Sequence, residues 1–269
     1  VSRHHPSRSA RQNTGRHETG QNFLVDRRVI ARVVDAVAPL PGPIVEIGPG
    51  DGALTLPLAR LGRSVTAVEI DPARADRLRD RSPALVTVVT SDVLRYRMPA
   101  TPHVLVGNIP FHLTTAILRR ILQNDGWTHA VLLVQWEVAR RRAGVGGATL
   151  MTAAWWPWFE FELLGRVPSS AFRPVPGVDG GLLRITRRPR PLVGDRARYQ
   201  RFVGDVFQGR GRGLPEILSR TRRVQRADLA DWLRAEGITA RHLPKHLDAA
   251  QWATLWRIAG GPPGTSGGR

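Results

Sequence analysis

Between Ile44 and Gln135, strand-like and helix-like segments alternate without interruption, and nothing else in the 269-residue chain restricts its fold as strongly. Short runs rich in valine and isoleucine read as strands: Ile44 to Ile47, Val65 to Ile70, Val86 to Thr90, Val104 to Asn108 and Ala130 to Gln135. Helical periods lie between them, notably Leu54 to Leu61 and Thr114 to Ile121. Strands linked in this way need crossover connections and cannot be joined by hairpins, so the alternation predicts an α/β fold with a parallel, doubly wound sheet. A helix carrying Val25, Val29, Ile30, Val33, Val34 and Val37 precedes it and ends at Pro39 to Pro43. After Gln135 the pattern changes. A helical segment, Glu137 to Arg142, runs into the Gly-rich turn Ala143 to Gly147, then an aromatic strand-like stretch, Trp156 to Leu164, and a last strand, Gly181 to Ile185. Joined across the loop Pro168 to Gly180, these two strands would form an antiparallel edge.

Four regions follow. Residues 1–17 carry Arg3, Arg8, Arg11 and Arg16 with no acid and read as a disordered basic arm. Residues 18–188 form the sheet domain. Pro189 to Gly194 reads as a linker into a helical domain, 189–259, with helical periods over Tyr199 to Phe207, Leu214 to Leu218, Ala227 to Arg234 and Ala249 to Ile258. Residues 260–269, rich in Gly, Pro and Ser, read as a disordered tail.

Charge narrows the partners. The formal net charge is +18, and half of that excess lies in residues 187–245, which hold 15 basic and 6 acidic side chains. Such a balance points to a polyanion, with nucleic acid first. Of the 40 basic residues only Lys245 is a lysine; arginine's planar fork favours phosphates and bases, and genomic base composition is the alternative source of the same bias. The absence of cysteine excludes disulfides, thiolate zinc sites, iron–sulfur clusters and cysteine nucleophiles. No apolar run approaches the ~20 residues of a membrane helix, and no signal core opens the chain, so a cytoplasmic protein that is not membrane-bound is expected. His242 and His246 stand four apart, but no carboxylate pattern completes a metal site, and no metal is expected.

Two motif groups carry the chemistry. Glu46-Ile47-Gly48-Pro49-Gly50-Asp51-Gly52 follows the first strand and precedes a helix, the setting of a glycine-rich nucleotide loop. About 20 residues on, where a ribose-binding acid belongs, the second strand ends at Glu69-Ile70-Asp71. The loop lacks the Gly-x-Gly-x-x-Gly order of dinucleotide sites, and Glu46 is badly placed beside a pyrophosphate. A phosphate-free, cationic cofactor fits better, which favours S-adenosylmethionine. Asp92 and Val93, after the third strand, are placed at its adenine, with a helix N-cap as the alternative role of Asp92. The second group is Asn108-Ile109-Pro110-Phe111. Asn108 supplies a side-chain acceptor, Pro110 biases Ile109 to an extended backbone whose carbonyl can face the same amine, and Phe111 offers a stacking plane. Together they point to methyl transfer onto an exocyclic amino nitrogen of a flipped base.

Gly20-Gln21-Asn22-Phe23-Leu24, the two cofactor motifs, Asn108 to Phe111, Gln135-Trp136-Glu137-Val138-Ala139 and Phe172-Arg173-Pro174-Val175-Pro176-Gly177-Val178-Asp179 occur in one order. In that order the chain resembles the ribosomal RNA adenine N6-methyltransferases, most of all the erythromycin-resistance branch. The resemblance implies a Rossmann-like class I methyltransferase sheet, S-adenosylmethionine as cofactor and 23S ribosomal RNA as substrate and partner, with resistance to macrolides, lincosamides and streptogramin B. It further implies that Gln21, Asn22 and Leu24 meet the methionine end of the cofactor and that Gly48 and Gly50 line it. Glu69 would hold the ribose, Ile70 would pack on the adenine and Asp92 would bind its amine, while Asn108 would bridge cofactor and target. Phe111 stands where many relatives have tyrosine, leaving stacking only. Phe172 would be the second stacking face, with a loop anchor packed in the core as its alternative role, and Arg140, Arg141 and Arg142 a phosphate clamp or a solvated helix face; Trp155, Trp156 and Trp158 read as packing. A monomer is expected. The competing readings are the small-subunit (16S) adenine dimethylase, which shares nearly every motif, and a non-catalytic nucleic-acid-binding protein, against which intact Glu69, Asp92 and Asn108 argue. Ile109 in place of leucine and the arginine-rich arm favour the resistance branch.

Overall fold

The computed structural model describes residues 22–221 and 223–264. Its sheet region comprises β1 (Phe23–Leu24), α1 (Arg27–Val37), β2 (Ile44–Ile47), α2 (Thr55–Ala59), β3 (Val65–Glu69), α3 (Pro72–Arg81), β4 (Val86–Thr90), β5 (His103–Asn108), α4 (Thr114–Gln123), β6 (Trp127–Gln135), α5 (Trp136–Arg142), α6 (Leu150–Trp155), β7 (Phe159–Val167), β8 (Phe172–Arg173) and β9 (Gly180–Arg187). Four helices follow: α7 (Arg196–Gln208), α8 (Leu214–Thr221), α9 (Arg226–Ala235) and α10 (Ala249–Ile258). The expected basic arm, 1–17, lies outside the described residues, as does Gln21.

Seven strands form one sheet in the order β4-β3-β2-β5-β6-β9-β7, and β1 pairs with β8 in a separate two-stranded ribbon. β2, β3, β4, β5 and β6 run parallel, whereas β9 is antiparallel to both β6 and β7. This is the doubly wound sheet with the antiparallel edge that the alternation predicts. The chain starts the sheet at β2, moves outward to β4, then returns to lay β5 on the other side of β2. That reversal is a topological switch point, and open α/β sheets bind ligands at the carboxyl ends of the strands flanking it. The strands were legible because both faces are covered: all four residues of β2 are buried, as are His103 to Gly107 of β5.

One stretch departs from expectation. Trp156 does not begin a strand. Thr149 caps α6 by accepting from the Thr152 amide, and the chain turns through Trp156 to Trp158 before β7 starts at Phe159. Aromatic residues resemble strand formers, but here they bury large rings. Trp155 lies 5.7 Å from Phe159 and edge-on to Trp158, and Trp158 is edge-on to Tyr199 at 5.6 Å. These tryptophans are packing residues.

Through them the helical region shares the sheet's core. Buried Trp127, Phe159, Tyr199, Phe202, Trp252 and Trp256 belong to one continuous apolar cluster, and the Tyr199 hydroxyl donates to the Ala153 carbonyl at 3.1 Å. The stretch read as a linker is held on both sides: the Leu192 amide donates to Pro157, that of Gly194 donates to Pro262, and Val193 pairs with Pro263. Residues 260–264, expected within a loose tail, are therefore docked, with the Trp256 indole N–H also donating to Pro262; 265–269 lie outside the described residues. No helix among the described residues is long and apolar enough to cross a membrane.

Candidate active site

At the switch point Ile47 of β2 lies opposite Gly107 of β5. A Cβ on Gly107 would stand 2.8 Å from the Ile47 carbonyl oxygen, so only glycine lets these two backbones approach. The loops leaving the two strands here carry both motif groups.

On the β2 side, Gly48 has φ 66°, in the left-handed region, and no atom lies within 4 Å of where its Cβ would be. The loop is therefore bare at that point, and Gly48 lines a cleft of about 1010 Å³ that also reaches Phe23, Glu46, Pro49 and Asn108. Gly50 faces inward: its amide donates to Glu69 Oε2 at 2.9 Å, and the Asp71 amide donates to Oε1 at 3.0 Å. Glu69 is 3% exposed. A carboxylate offers about four acceptor positions; with two taken, the remainder can accept a sugar diol. Ile70, next to it, is 59% exposed, an unusual state for a large aliphatic side chain. Across the β3–β4 pair, Asp92 Oδ1 accepts from the Leu94 amide at 2.9 Å and holds a local turn; no helix follows it, so it is not a helix N-cap. Oδ2 accepts nothing among the described residues and stays available for an amine. Val93 is half-buried against the main core. Glu69, Ile70, Asp92 and Val93 thus stand at the adjoining ends of β3 and β4, outside the walls of the cleft.

Glu46 is 1% exposed and accepts from the Thr55 hydroxyl at 2.6 Å. Burial pushes its pKa up to about 7, with a smaller push from the charge of Glu69 and an opposing pull from Thr55.

On the β5 side, Asn108 Nδ2 donates to the Asn22 carbonyl at 2.8 Å. That bond selects the amide orientation and turns Oδ1 away as a free acceptor. The Ile109 amide donates to Leu133 at 2.9 Å and the Ile109 side chain is buried, whereas its carbonyl accepts nothing among the described residues. The next carbonyl, of Pro110, is used by the Leu113 amide at 2.9 Å and by the Thr114 hydroxyl. Two adjacent acceptors, Asn108 Oδ1 and the Ile109 carbonyl, are left open at the switch point.

The β1 ribbon joins the two halves. Phe23 packs on Gly50, where a Cβ would meet its ring at 3.1 Å, and the Arg74 guanidinium lies 4.3 Å from the ring centroid while pairing with Asp51 at 3.3 Å. Asn22 is therefore clamped to the glycine loop through its neighbour. Leu24, 4% exposed, belongs to the core and touches only the cleft wall. Thr55, Phe23 and Arg74 were not among the residues the sequence picked out; Phe23 sits inside a motif that was noticed, while Arg74 is one arginine among many.

Two expectations need correction. Phe172 is fully buried: β8 pairs it with Leu24 of β1, and it meets Phe111 edge-to-face at 6.2 Å and 72°. It supports Phe111 from within and presents no face to a ligand; half-buried Phe111 is the exposed member. Nor do the three arginines form one clamp. Arg142 turns inward to the Thr149 hydroxyl, with burial lowering its pKa. Arg140 pairs with Glu137 at 3.2 Å, leaving Arg141 as the exposed member. His242 and His246 accept the Thr239 and Leu243 amides, closing local turns. No group of three or more His, Asp or Glu able to hold a metal occurs among the described residues.

The chain as a whole matches known proteins. Residues 12–259 match the family described as ribosomal RNA adenine dimethylase. The chain is 58% identical over 209 residues to the rRNA adenine N-6-methyltransferase of Corynebacterium diphtheriae, covering 77% of this chain and 83% of that protein. It is 51% identical over 247 residues to the mycinamicin-resistance protein MyrB of Micromonospora griseorubida, covering 91% and 79%. The crystal structure of the 23S rRNA methyltransferase ErmE superposes with a TM-score of 0.82 at 34% identity, over 89% of this chain and 100% of that one.

Proposed function

The chain belongs to the ribosomal RNA adenine dimethylase family, and from that premise we propose that it methylates N6 of one adenine in 23S ribosomal RNA, using S-adenosylmethionine, and thereby confers macrolide, lincosamide and streptogramin B resistance. The observation that carries the reading is the pair of open acceptors, Asn108 Oδ1 and the Ile109 carbonyl, beside a cofactor row of matching chemistry. The spare lone pairs of Glu69 would take the ribose hydroxyls, exposed Ile70 the adenine face, Asp92 Oδ2 the adenine amine, and bare Gly48 the close approach of the chain. When bound, S-adenosylmethionine supplies an electrophilic methyl group on a cationic sulfur.

The residues of this chain do the rest. An adenine amine is a weak nucleophile because its lone pair is delocalised into the ring. Asn108 Oδ1 and the Ile109 carbonyl each accept one of its hydrogens, favour the pyramidal nitrogen and stabilise the positive charge that grows on it, at no reorganisation cost because both are already fixed. Asn22 keeps the amide of Asn108 in the useful orientation. Phe111 stacks on the flipped base with Phe172 behind it. No strong base is needed, since the methylated cationic nitrogen loses a proton to water. Positioning supplies much of the remaining acceleration.

The test offers methyl-labelled cofactor with protein-free 23S RNA, small-subunit particles and duplex DNA, then maps the methylated adenines. Label on one 23S adenine is expected. Label confined to small-subunit RNA would replace the target, and no label on any substrate would return the chain to the binding-protein class.

A further inference from the structure

We propose that a second pocket, between the ends of β6 and β9, holds the nucleobase adjacent to the target adenosine; the proposal rests on the RNA-methylating reading of the site. The pocket has a volume of about 380 Å³ and is walled by Gln135, Trp136, Glu137, Arg166, Val178 and Asp179. Its size is at the lower end of small-ligand pockets, room for one base and not for a folded helix.

Its chemistry selects a nucleotide. The Trp136 indole is attended by two guanidinium groups, Arg166 at 5.5 Å and Arg140 at 6.0 Å from the ring centroid. Aromatic and guanidinium planes together stack bases regardless of sequence, and arginine adds a fork for the attached phosphate. Val178 gives an apolar wall and is 50% exposed. Gln135 and Glu137 offer hydrogen-bonding groups at the rim.

The pocket is also built in advance. Asp179 ties its walls together: its carbonyl accepts from the Trp136 amide at 2.9 Å, Oδ1 from the Ser169 amide at 2.8 Å, and Oδ2 from Arg166 Nε at 2.6 Å. Arg166 is thereby fixed while its side chain stays 62% exposed, which leaves its terminal nitrogens free to meet a ligand.

Position identifies the occupant. Asn108 pairs with Leu133 of β6, and Gln135 lies two residues further towards the carboxyl edge. One strand spacing and two residues along the strand amount to about 8 Å. This is more than twice the ~3.4 Å rise of stacked nucleotides, so the neighbour of a flipped adenosine must itself be unstacked to reach the pocket. Phe172 separates the two compartments: it meets Phe111 on one side, and a Cβ on Gly180, the residue after Asp179, would contact its ring at 3.2 Å.

The experiment uses the full chain and a 23S RNA hairpin carrying the candidate target adenine in unmethylated form, with an abasic nucleotide on its 5′ or its 3′ side. For the unaltered protein, one of the two abasic positions should raise KM and the dissociation constant roughly tenfold, with a smaller effect on kcat. Trp136→Ala and, separately, Arg166→Ala should weaken the base-bearing hairpin by a similar factor and abolish the penalty of the abasic one. Equal losses on both hairpins in both variants, or an unaltered protein indifferent to both abasic positions, overturn the proposal. Arg166 lies on the edge strand, so its variant decides the matter if Trp136→Ala fails to fold. Competition by a free mononucleotide at concentrations well below those of bulk RNA nucleotides would reassign the pocket to a soluble ligand. Equilibrium binding reads the pocket without turnover, so a chain that methylates no RNA loses the functional reading while the abasic comparison still judges this one.

Discussion

Asn108 serves two demands with one amide: its nitrogen is spent on the Asn22 carbonyl so that its oxygen is free. Replacing it with alanine removes one of two preorganised acceptors, and the transfer rate should fall by about a hundredfold or more. Cofactor affinity, measured by calorimetry, should stay within a few-fold, because Glu69 and Asp92 are untouched; unchanged turnover would count against the mechanism. Glu46 supports a different test. Its carboxyl holds a proton up to about pH 7 in the folded chain, against an ordinary value of 4.5. The native state therefore binds more protons than the unfolded one across that window, so this contribution to stability is complete below pH 4.5 and lost as pH rises through 7. Glu46→Gln keeps an acceptor for Thr55 and removes the charge. Its thermal stability should gain on the parent between pH 5 and pH 8, by on the order of 3 kcal/mol, and a constant gap across that range would show that burial is not the cause. The strand position of Glu46 was evident from the sequence, but its burial was not, since that depends on α2 bringing Thr55 over it.

Elements set which of these residues meet. The boundaries of β2 follow its apolar run, because a strand covered on both faces carries its signal in every residue; edge strand β4, with only Val88 buried, was legible from its run of valine and threonine. The same logic misread Trp156 to Trp158, where aromatic bulk serves a turn, and Phe172, whose loop location concealed a two-residue strand. The β1–β8 ribbon has no periodic signature at all; it exists because Leu24 and Phe172 meet from 148 positions apart in the chain. Its function is testable. Arg74→Ala frees one face of Phe23 and loosens the strand that follows Asn22, so kcat should drop several-fold while the melting temperature shifts little. An equal effect on stability and rate would make the clamp merely structural. Gly107→Ala should do the opposite, forcing β2 and β5 apart and costing about 1–3 kcal/mol in a denaturant titration.

At the scale of the whole molecule, the sheet and the helical region share one apolar cluster, and the 189–194 stretch is pinned between Pro157 and Pro262. Calorimetry should record a single unfolding transition, and a chain ending at 188 should fail to fold, since it would remove Tyr199 from Trp158 and Arg196 from Trp155 and bare that face of the core. Two separate transitions, or a cooperative 188-residue fragment, would restore the independent domains that composition suggested. The succession of strands and helices, the glycine loop, the acids at the strand ends and the Asn108 to Phe111 motif could all be read from the chain, because each rests on local periodicity or on residues close together in sequence. The direction in which Phe172 and Arg142 point, the clamp on Asn22, the pocket beside Trp136 and the single core could not. Each arises from contacts between distant segments, and such contacts are specified by packing that no local pattern encodes.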